Sequence, residues 1–146
     1  MSLEIEHKYL VENDSYLELA TSSVHILQGY LSRTPEAVVR VRIADDRGFL
    51  TVKGKNTGDT RPEFEYPIPP EEARQLLRLC PGRILDKTRY IVPYRGHIWE
   101  VDIFHGDRDG LRTAEIELPS SDTSYDLPPF AGRNVTGDPA YYNSNL

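Results

Sequence analysis

Like charges recur two residues apart along this sequence, as Glu4-x-Glu6, Arg40-x-Arg42, Glu63-x-Glu65, Lys87-x-Arg89, Glu100-x-Asp102 and Glu115-x-Glu117. Apolar residues such as Ile5, Val41, Phe64, Val101 and Ile116 fill the positions between them. Side chains alternate between the two faces of a strand, so each pair projects from one face and its apolar neighbours from the other. A sheet with one wet face alternates too, but there the polar positions ordinarily mix Thr, Ser, Lys and Glu. For any single strand a solvated face is the simpler account. Sorted by sign over many strands, the pairs instead suggest charged faces gathered around one interior. The first stretch, Glu4-Ile5-Glu6-His7-Lys8, sets the chemistry: two carboxylates this close repel unless a cation neutralises them, and they make suitable hard-oxygen arms for a divalent ion.

In chain order, Asn13-Asp14-Ser15 ends the first strand and caps a short helix over about Ser15 to Thr21. Strands are expected over Val24–Ser32, Ala37–Ala44, Phe49–Gly54, Arg61–Ile68, Arg83–Val92, His97–His105 and Leu111–Leu118. Turns at Thr34-Pro35-Glu36, Asp45-Asp46-Arg47-Gly48 and Asp107-Arg108-Asp109-Gly110 separate some of them, and Gly54–Thr60 is a polar loop. Pro70 to Cys80 reads as the main helix, with acids in its first turn and an apolar stripe of Ala73, Leu76, Leu77 and Cys80. Beyond Pro119 the chain reads as an irregular crossing that ends in a short helix at Tyr141-Tyr142-Asn143, which either closes one mouth of a barrel or packs as a plain C-terminal tail. The fold class is therefore mainly β (α+β): a closed antiparallel eight-stranded β-barrel with a polar, charged lumen, covered outside by a few helices. A barrel of roughly eight strands holds one small ligand.

The 146 residues fit a single domain, 1–146. A net charge of -6 argues against a surface that coats nucleic acid or anionic lipid. No apolar run approaches the roughly 18 residues of a membrane span, and Glu4 stands too near the initiator for a signal peptide to precede it, so a cytoplasmic location is expected. Cys80, the lone cysteine, forms no internal disulfide and reads as a small buried hydrophobe at the helix end. The Asn134-Val135-Thr136 sequon then has no glycan to carry. His7, His25, His97 and His105 fall on the outer face with Trp99, as surface or packing residues. Gly54-Lys55-Asn56-Thr57 lacks the glycine spacing of a phosphate loop.

A lumen with one acidic and one basic sector suits a polyanion carried with a divalent metal. Arg grips phosphate bidentately and Lys acts as a point charge, while Mg²⁺ or Mn²⁺ bridges carboxylates to phosphate oxygens. Metal-dependent phosphoryl chemistry on a short chain of phosphates follows.

At this point the sequence resembles a known family. Glu4-x-Glu6-x-Lys8, Gln28-Gly29-Tyr30-Leu31, Arg40-x-Arg42, Thr51-x-Lys53-Gly54, Glu63-x-Glu65, Lys87-x-Arg89-Tyr90, Trp99-Glu100-Val101-Asp102-x-Phe104 and Glu115-x-Glu117 resemble, in order, the CYTH proteins, also called triphosphate tunnel metalloenzymes. The resemblance implies a closed tunnel in which Lys8, Arg40, Arg42, Lys53, Lys87 and Arg89 bind a small-molecule triphosphate. It implies metal ligands, direct or through water, in Glu4, Glu6, Asp102, Glu115 and Glu117, with Glu63 and Glu65 as further candidates, and Mg²⁺ or Mn²⁺ as the cofactor. Glu4, Glu6 and Lys8 are the expected catalytic group, with Lys8 either a phosphate clamp or, if its pKa were lowered, a base.

Short and opening almost on the motif, the chain is most similar to the compact bacterial members, which implies hydrolysis of inorganic tripolyphosphate to pyrophosphate and orthophosphate. The alternatives are a class IV-type adenylyl cyclase, an organic (thiamine or nucleoside) triphosphatase, and a non-catalytic binder of polyphosphate or nucleotide. No nucleic-acid or membrane partner is expected, and the oligomeric state, monomer or homodimer, stays open.

Overall fold

The computed structural model describes residues 2–146. Its strands are β1 (Leu3–Val11), β2 (Ser22–Ser32), β3 (Val38–Ala44), β4 (Arg47–Lys53), β5 (Thr60–Ile68), β6 (Leu85–Tyr94), β7 (His97–Phe104), β8 (Arg112–Glu117) and β9 (Ala131–Asn134). Helix α1 (Tyr16–Leu19) precedes β2, and α2 (Pro70–Leu79) follows β5. The strands form one sheet in the order β5-β4-β3-β2-β6-β7-β8-β1-β9. β5 also pairs with β1 through Leu3↔Pro62, Glu4↔Arg61 and Ile5↔Thr60, which closes the strands other than β9 into an antiparallel eight-stranded barrel. The expected fold class is the one observed. Short hairpins carry most of the connectivity; Arg95 (φ 45°) and Gly96 (φ 82°) supply the two positive φ values of a type I′ turn between β6 and β7.

Apolar residues cover the outside of this barrel. Tyr9, Val92, Trp99, Val101, Ala114 and Ile116 form a buried cluster with Tyr16 of α1 and Phe130 of the segment that precedes β9. Trp99 is thus outer packing, as its parity suggested. On the opposite side α2 lays Ala73, Leu76 and Leu77 over Val41 and Ile43. Glu71 and Glu72 in its first turn and Arg78 in its last complement the helix dipole. Close helix packing requires Gly48, whose added Cβ would meet the Ile68 carbonyl oxygen at 2.8 Å and Ala73 Cβ at 2.9 Å. Gly48→Ala is expected to destabilise the chain by about 1–3 kcal/mol through overpacking, read as a lower urea midpoint at unchanged slope.

Several boundaries differ from the sequence expectation. β6 starts at Leu85 instead of Arg83 because Arg33 binds the carbonyls of Pro81 and Arg83 and holds that stretch as a loop. The crossing after Pro119 contains β9, which pairs with β1 at Tyr9↔Asn134 and Val11↔Ala131. The expected terminal helix is a pair of short 3-10 turns, Pro139–Tyr141 and Asn143–Asn145. Among the described residues no helix is long and apolar enough to cross a membrane.

Candidate active site

Strand parity and closure together turn the charged pairs inward onto a cavity of about 380 Å³. Its acidic wall is built by register. Glu6 stands opposite Glu117 and Lys8 opposite Glu115 across β1 and β8, Glu100 stands opposite Glu115 across β7 and β8, and Glu4 stands opposite Arg61 at the closure. Carboxylate oxygens of Glu4, Glu63 and Glu117 all lie within 4.8 Å of one another. Glu4 is the best compensated: Lys53 Nζ donates to both of its oxygens at 3.2 and 3.0 Å, and Arg61 Nε donates at 3.2 Å. Against the upward push of burial, Lys53, a hydrogen bond with Glu63 and Arg61 bring its pKa down to about 2.

The other carboxylates are less well answered. Burial, then Glu115 and Glu4, push Glu6 well above the usual range. Burial, then Glu4, Glu100 and Glu63, raise Glu117 to about 7, and burial followed by contact with Glu4 raises Glu63. Such a wall holds protons or calls for a cation.

The basic wall has the converse problem. Arg42 donates from Nε and Nη2 to Gln28 Oε1 at 3.0 and 2.8 Å; burial, then Arg40 and Arg89, lower it to about 9. Arg40 is buried, donates to Thr51 Oγ1 at 3.2 Å, reaches Glu65 at 3.5 Å and leaves its Nε without a partner. Guanidiniums crowded in this way and short of acceptors fit an anion with many oxygens. Lys8 lies between the walls, 3.3 Å from Glu115 Oε1, and donates to the Tyr141 carbonyl at 2.9 Å. Burial alone would lower it, but Glu115 and Glu6 prevail and raise its pKa, so it stays an ammonium.

The CYTH domain family matches residues 2–142. The chain belongs to the CYTH family. An inorganic triphosphatase of Acetivibrio thermocellus is 46% identical over 100% of this chain and 94% of its own length. One of Nitrosomonas europaea is 33% identical over 98% of this chain and 95% of its own. The barrel also superposes on a crystal structure of an inorganic triphosphatase with a TM-score of 0.66, at 31% identity over 97% of this chain and 95% of that one.

Within the CYTH barrel, the site residues expected from sequence divide into two groups. Glu4, Glu6, Glu63, Glu65, Glu115 and Glu117 line the cavity, as do Lys8, Arg40, Arg42, Lys53 and Arg89. Lys87 and Asp102 do not; both are fully buried behind Arg89, with Lys87 Nζ 2.7 Å from Asp102 Oδ2. Asp102 accepts a two-point grip from Arg89 at 2.8 and 2.9 Å. Burial and the guanidiniums of Arg89 and Arg42 lower Lys87 to about 7 despite Asp102, whereas Asp102 is lowered, against burial, chiefly by Arg89. The charge of Asp102 therefore belongs mainly to Arg89.

Sequence reasoning left out two cavity residues that its own rule could have found. Arg61 shares the inward parity of Glu63 and Glu65, but its opposite sign excluded it from a like-charge pair, and Glu100 was paired with Asp102 without being given a role. Tyr142, Asn143 and Ser144 of the C-terminal segment also line the cavity.

Proposed function

We propose that this CYTH chain hydrolyses inorganic tripolyphosphate to pyrophosphate and orthophosphate with Mg²⁺ or Mn²⁺, and does so in the cytoplasm, where a lone thiol such as Cys80 stays reduced. The carrying observation is the facing of an under-compensated acidic wall and an under-compensated basic wall across one cavity of about 380 Å³. The names of the two bacterial relatives agree with this reading.

The clustered oxygens of Glu4, Glu63 and Glu117 fit a hard divalent cation, which Glu6 and Glu115 would support from the adjoining strands. When bound, such an ion supplies charge neutralisation on phosphate oxygens and acidifies water. The protein's own part is electrostatic positioning. Arg40, Arg42 and Arg89 would grip phosphate oxygens, and Lys53 and Arg61, which pair with Glu4, would turn part of their charge to the substrate where Glu4 serves as a metal ligand. Lys8, held charged by Glu115 and Glu6, is a clamp and no base. Glu6, beside Lys8 on the same inward face, would accept a proton from the attacking water once a bound cation offsets the burial and the repulsion from Glu115 and Glu4 that otherwise keep it protonated. Lys87 and Asp102 act on phosphate only through Arg89.

The test is a phosphate-release screen over tripolyphosphate, ATP and thiamine triphosphate with Mg²⁺, Mn²⁺ and Ca²⁺. Release from tripolyphosphate with Mg²⁺ or Mn²⁺, and far less from the organic esters, is expected. Cyclic AMP as the main product from ATP would refute the reading, as would tight triphosphate binding with no turnover under any of the three ions.

A further inference from the structure

The residue between Glu6 and Lys8 points the other way. His7 lies on the outer face of β1, where it cannot touch a ligand in the lumen, yet both of its ring nitrogens are engaged: Nδ1 lies 2.7 Å from Tyr125 Oη and Nε2 lies 2.8 Å from Asp59 Oδ2. Each partner is a hub on a segment without regular structure. Asp59 ends the loop between β4 and β5; its Oδ1 accepts the hydroxyls of Thr60 and Ser121, both at 2.8 Å, and its carbonyl accepts the amide of Glu6 at 3.1 Å. Tyr125 belongs to the crossing between β8 and β9, where its ring meets Trp99 edge-on at 5.7 Å and its hydroxyl lies 2.6 Å from that of Tyr9. The set is satisfied when Nε2–H donates to the carboxylate and Nδ1 accepts from Tyr125.

What His7 fastens is one lip of the cavity. Asn56, Gly58 and Asp59 line it from this loop, and Arg61, two residues on, contributes the guanidinium that pairs with Glu4 and lies 5.9 Å over the Tyr142 ring. A six-residue polar loop with Gly58 at φ 65° has little packing of its own to set its position. Thr57 in it exchanges backbone hydrogen bonds with Thr60 at 2.7 and 3.2 Å, and the loop's last residue is tied to the strand that presents Glu4, Glu6 and Lys8 at two points, the Glu6 amide on the Asp59 carbonyl and the His7 ring on the Asp59 carboxylate.

We propose that His7 is a positioning residue for triphosphate binding. Acting through Asp59, with Tyr125 as its fixed stop, it sets the loop carrying Asn56 and Gly58, and the start of β5 that carries Arg61, against the mouth of the cavity and so determines affinity for the substrate while leaving the chemical step to the lumen. The proposal rests on the triphosphatase reading above.

The experiment compares His7→Ala, Asp59→Ala and Tyr125→Phe with the parent, each measured for KM and kcat on tripolyphosphate with Mg²⁺ and, by calorimetry, for tripolyphosphate binding. His7→Ala and Asp59→Ala are expected to raise KM and Kd by about three- to tenfold with kcat within about twofold, the scale of one or two lost hydrogen bonds. Tyr125→Phe keeps the ring against Trp99 and should give a smaller shift in the same direction. The His7→Ala/Asp59→Ala double variant should be no worse than Asp59→Ala alone, because both break one linkage. His7→Gln and Asp59→Asn, whose amides can still donate to and accept across that linkage, should recover part of the affinity. Unchanged KM and Kd in folded His7→Ala and Asp59→Ala overturn the positioning role alone, as does an equal fall of kcat in every variant. Should His7→Ala not fold, Asp59→Ala and His7→Gln decide by the same split. A parent chain that neither binds nor hydrolyses tripolyphosphate overturns the functional reading and takes the role of His7 with it.

Discussion

Replacing Glu117 by Gln is expected to abolish metal-dependent phosphate release while leaving the metal-free protein at least as stable as its parent. The two effects come from one cause. Glu117 shares with Glu4 and Glu63 a group of carboxylate oxygens that all lie within 4.8 Å of one another, and in the absence of a cation burial, followed by its acidic neighbours, raises its pKa to about 7. Its folded pKa lies above its unfolded value near 4.5, so whatever it contributes to stability is fully present below about pH 4.5 and is lost as pH rises through about 7. Gln is the neutral isostere and removes that loss. Metal-free Glu117→Gln should therefore gain in melting temperature relative to the parent as pH climbs through this window. The gain should be small, since Glu117 is open to water that screens the repulsion. Turnover is another matter: weakening a metal that supplies several kcal/mol of charge stabilisation corresponds to a loss of at least about 10³-fold in rate. Activity near the parental level in a folded Glu117→Gln chain would remove the metal assignment. Glu4→Gln is a poorer probe, because it also strips the counter-ion from Lys53 and Arg61.

Glu117 also shows what parity alone can and cannot give. Alternation placed Glu4, Glu6, Glu115 and Glu117 on inward faces without any knowledge of topology, and the same rule placed Trp99 outside. Register is a further quantity: that Glu6 faces Glu117 and Lys8 faces Glu115 depends on how β1 slides against β8, which no local pattern states. Height along the barrel is another. Lys87 and Asp102 have the correct parity, but Lys87 lies directly across from Phe104, and the inward-facing Tyr30, Val38, Leu85 and Phe104 pack that part of the barrel. Inward there means buried. β9 was not legible because Ala131-Gly132-Arg133-Asn134 has neither alternation nor β-branched residues; it exists because β1 runs on past its pairing with β5 at Leu3–Ile5 and presents a free edge there. The role of His7 was hidden for a similar reason, since its partners Asp59 and Tyr125 are brought to it by two loops.

The height of Lys87 and Asp102 leads to the largest expected effect on stability. Asp102→Ala should cost about 3–5 kcal/mol, because removing one member of a buried ionic group leaves charge uncompensated where water cannot reach. Two cations lose a partner together: Arg89 gives up its two-point grip and Lys87 its contact at 2.7 Å. Lys87→Met should cost far less, since Asp102 keeps Arg89 and the lysine is already half inclined to shed its proton, with a pKa of about 7. That lowered value fixes the sign of a second readout. Between about pH 7 and 10.5 the unfolded chain binds a proton that the folded chain lacks, so Lys87 makes stability rise with pH across this range, and Lys87→Met should flatten that slope. Urea denaturation at pH 7 and pH 9 measures both quantities. Turnover separates support from contact. If Asp102 works through Arg89, Asp102→Asn, which retains an acceptor for the guanidinium, should keep more activity than Asp102→Ala, and Lys87→Met should leave the KM for tripolyphosphate within a few fold of the parent. A collapse of triphosphate binding in a stable Lys87→Met chain would instead put that ammonium on the phosphates.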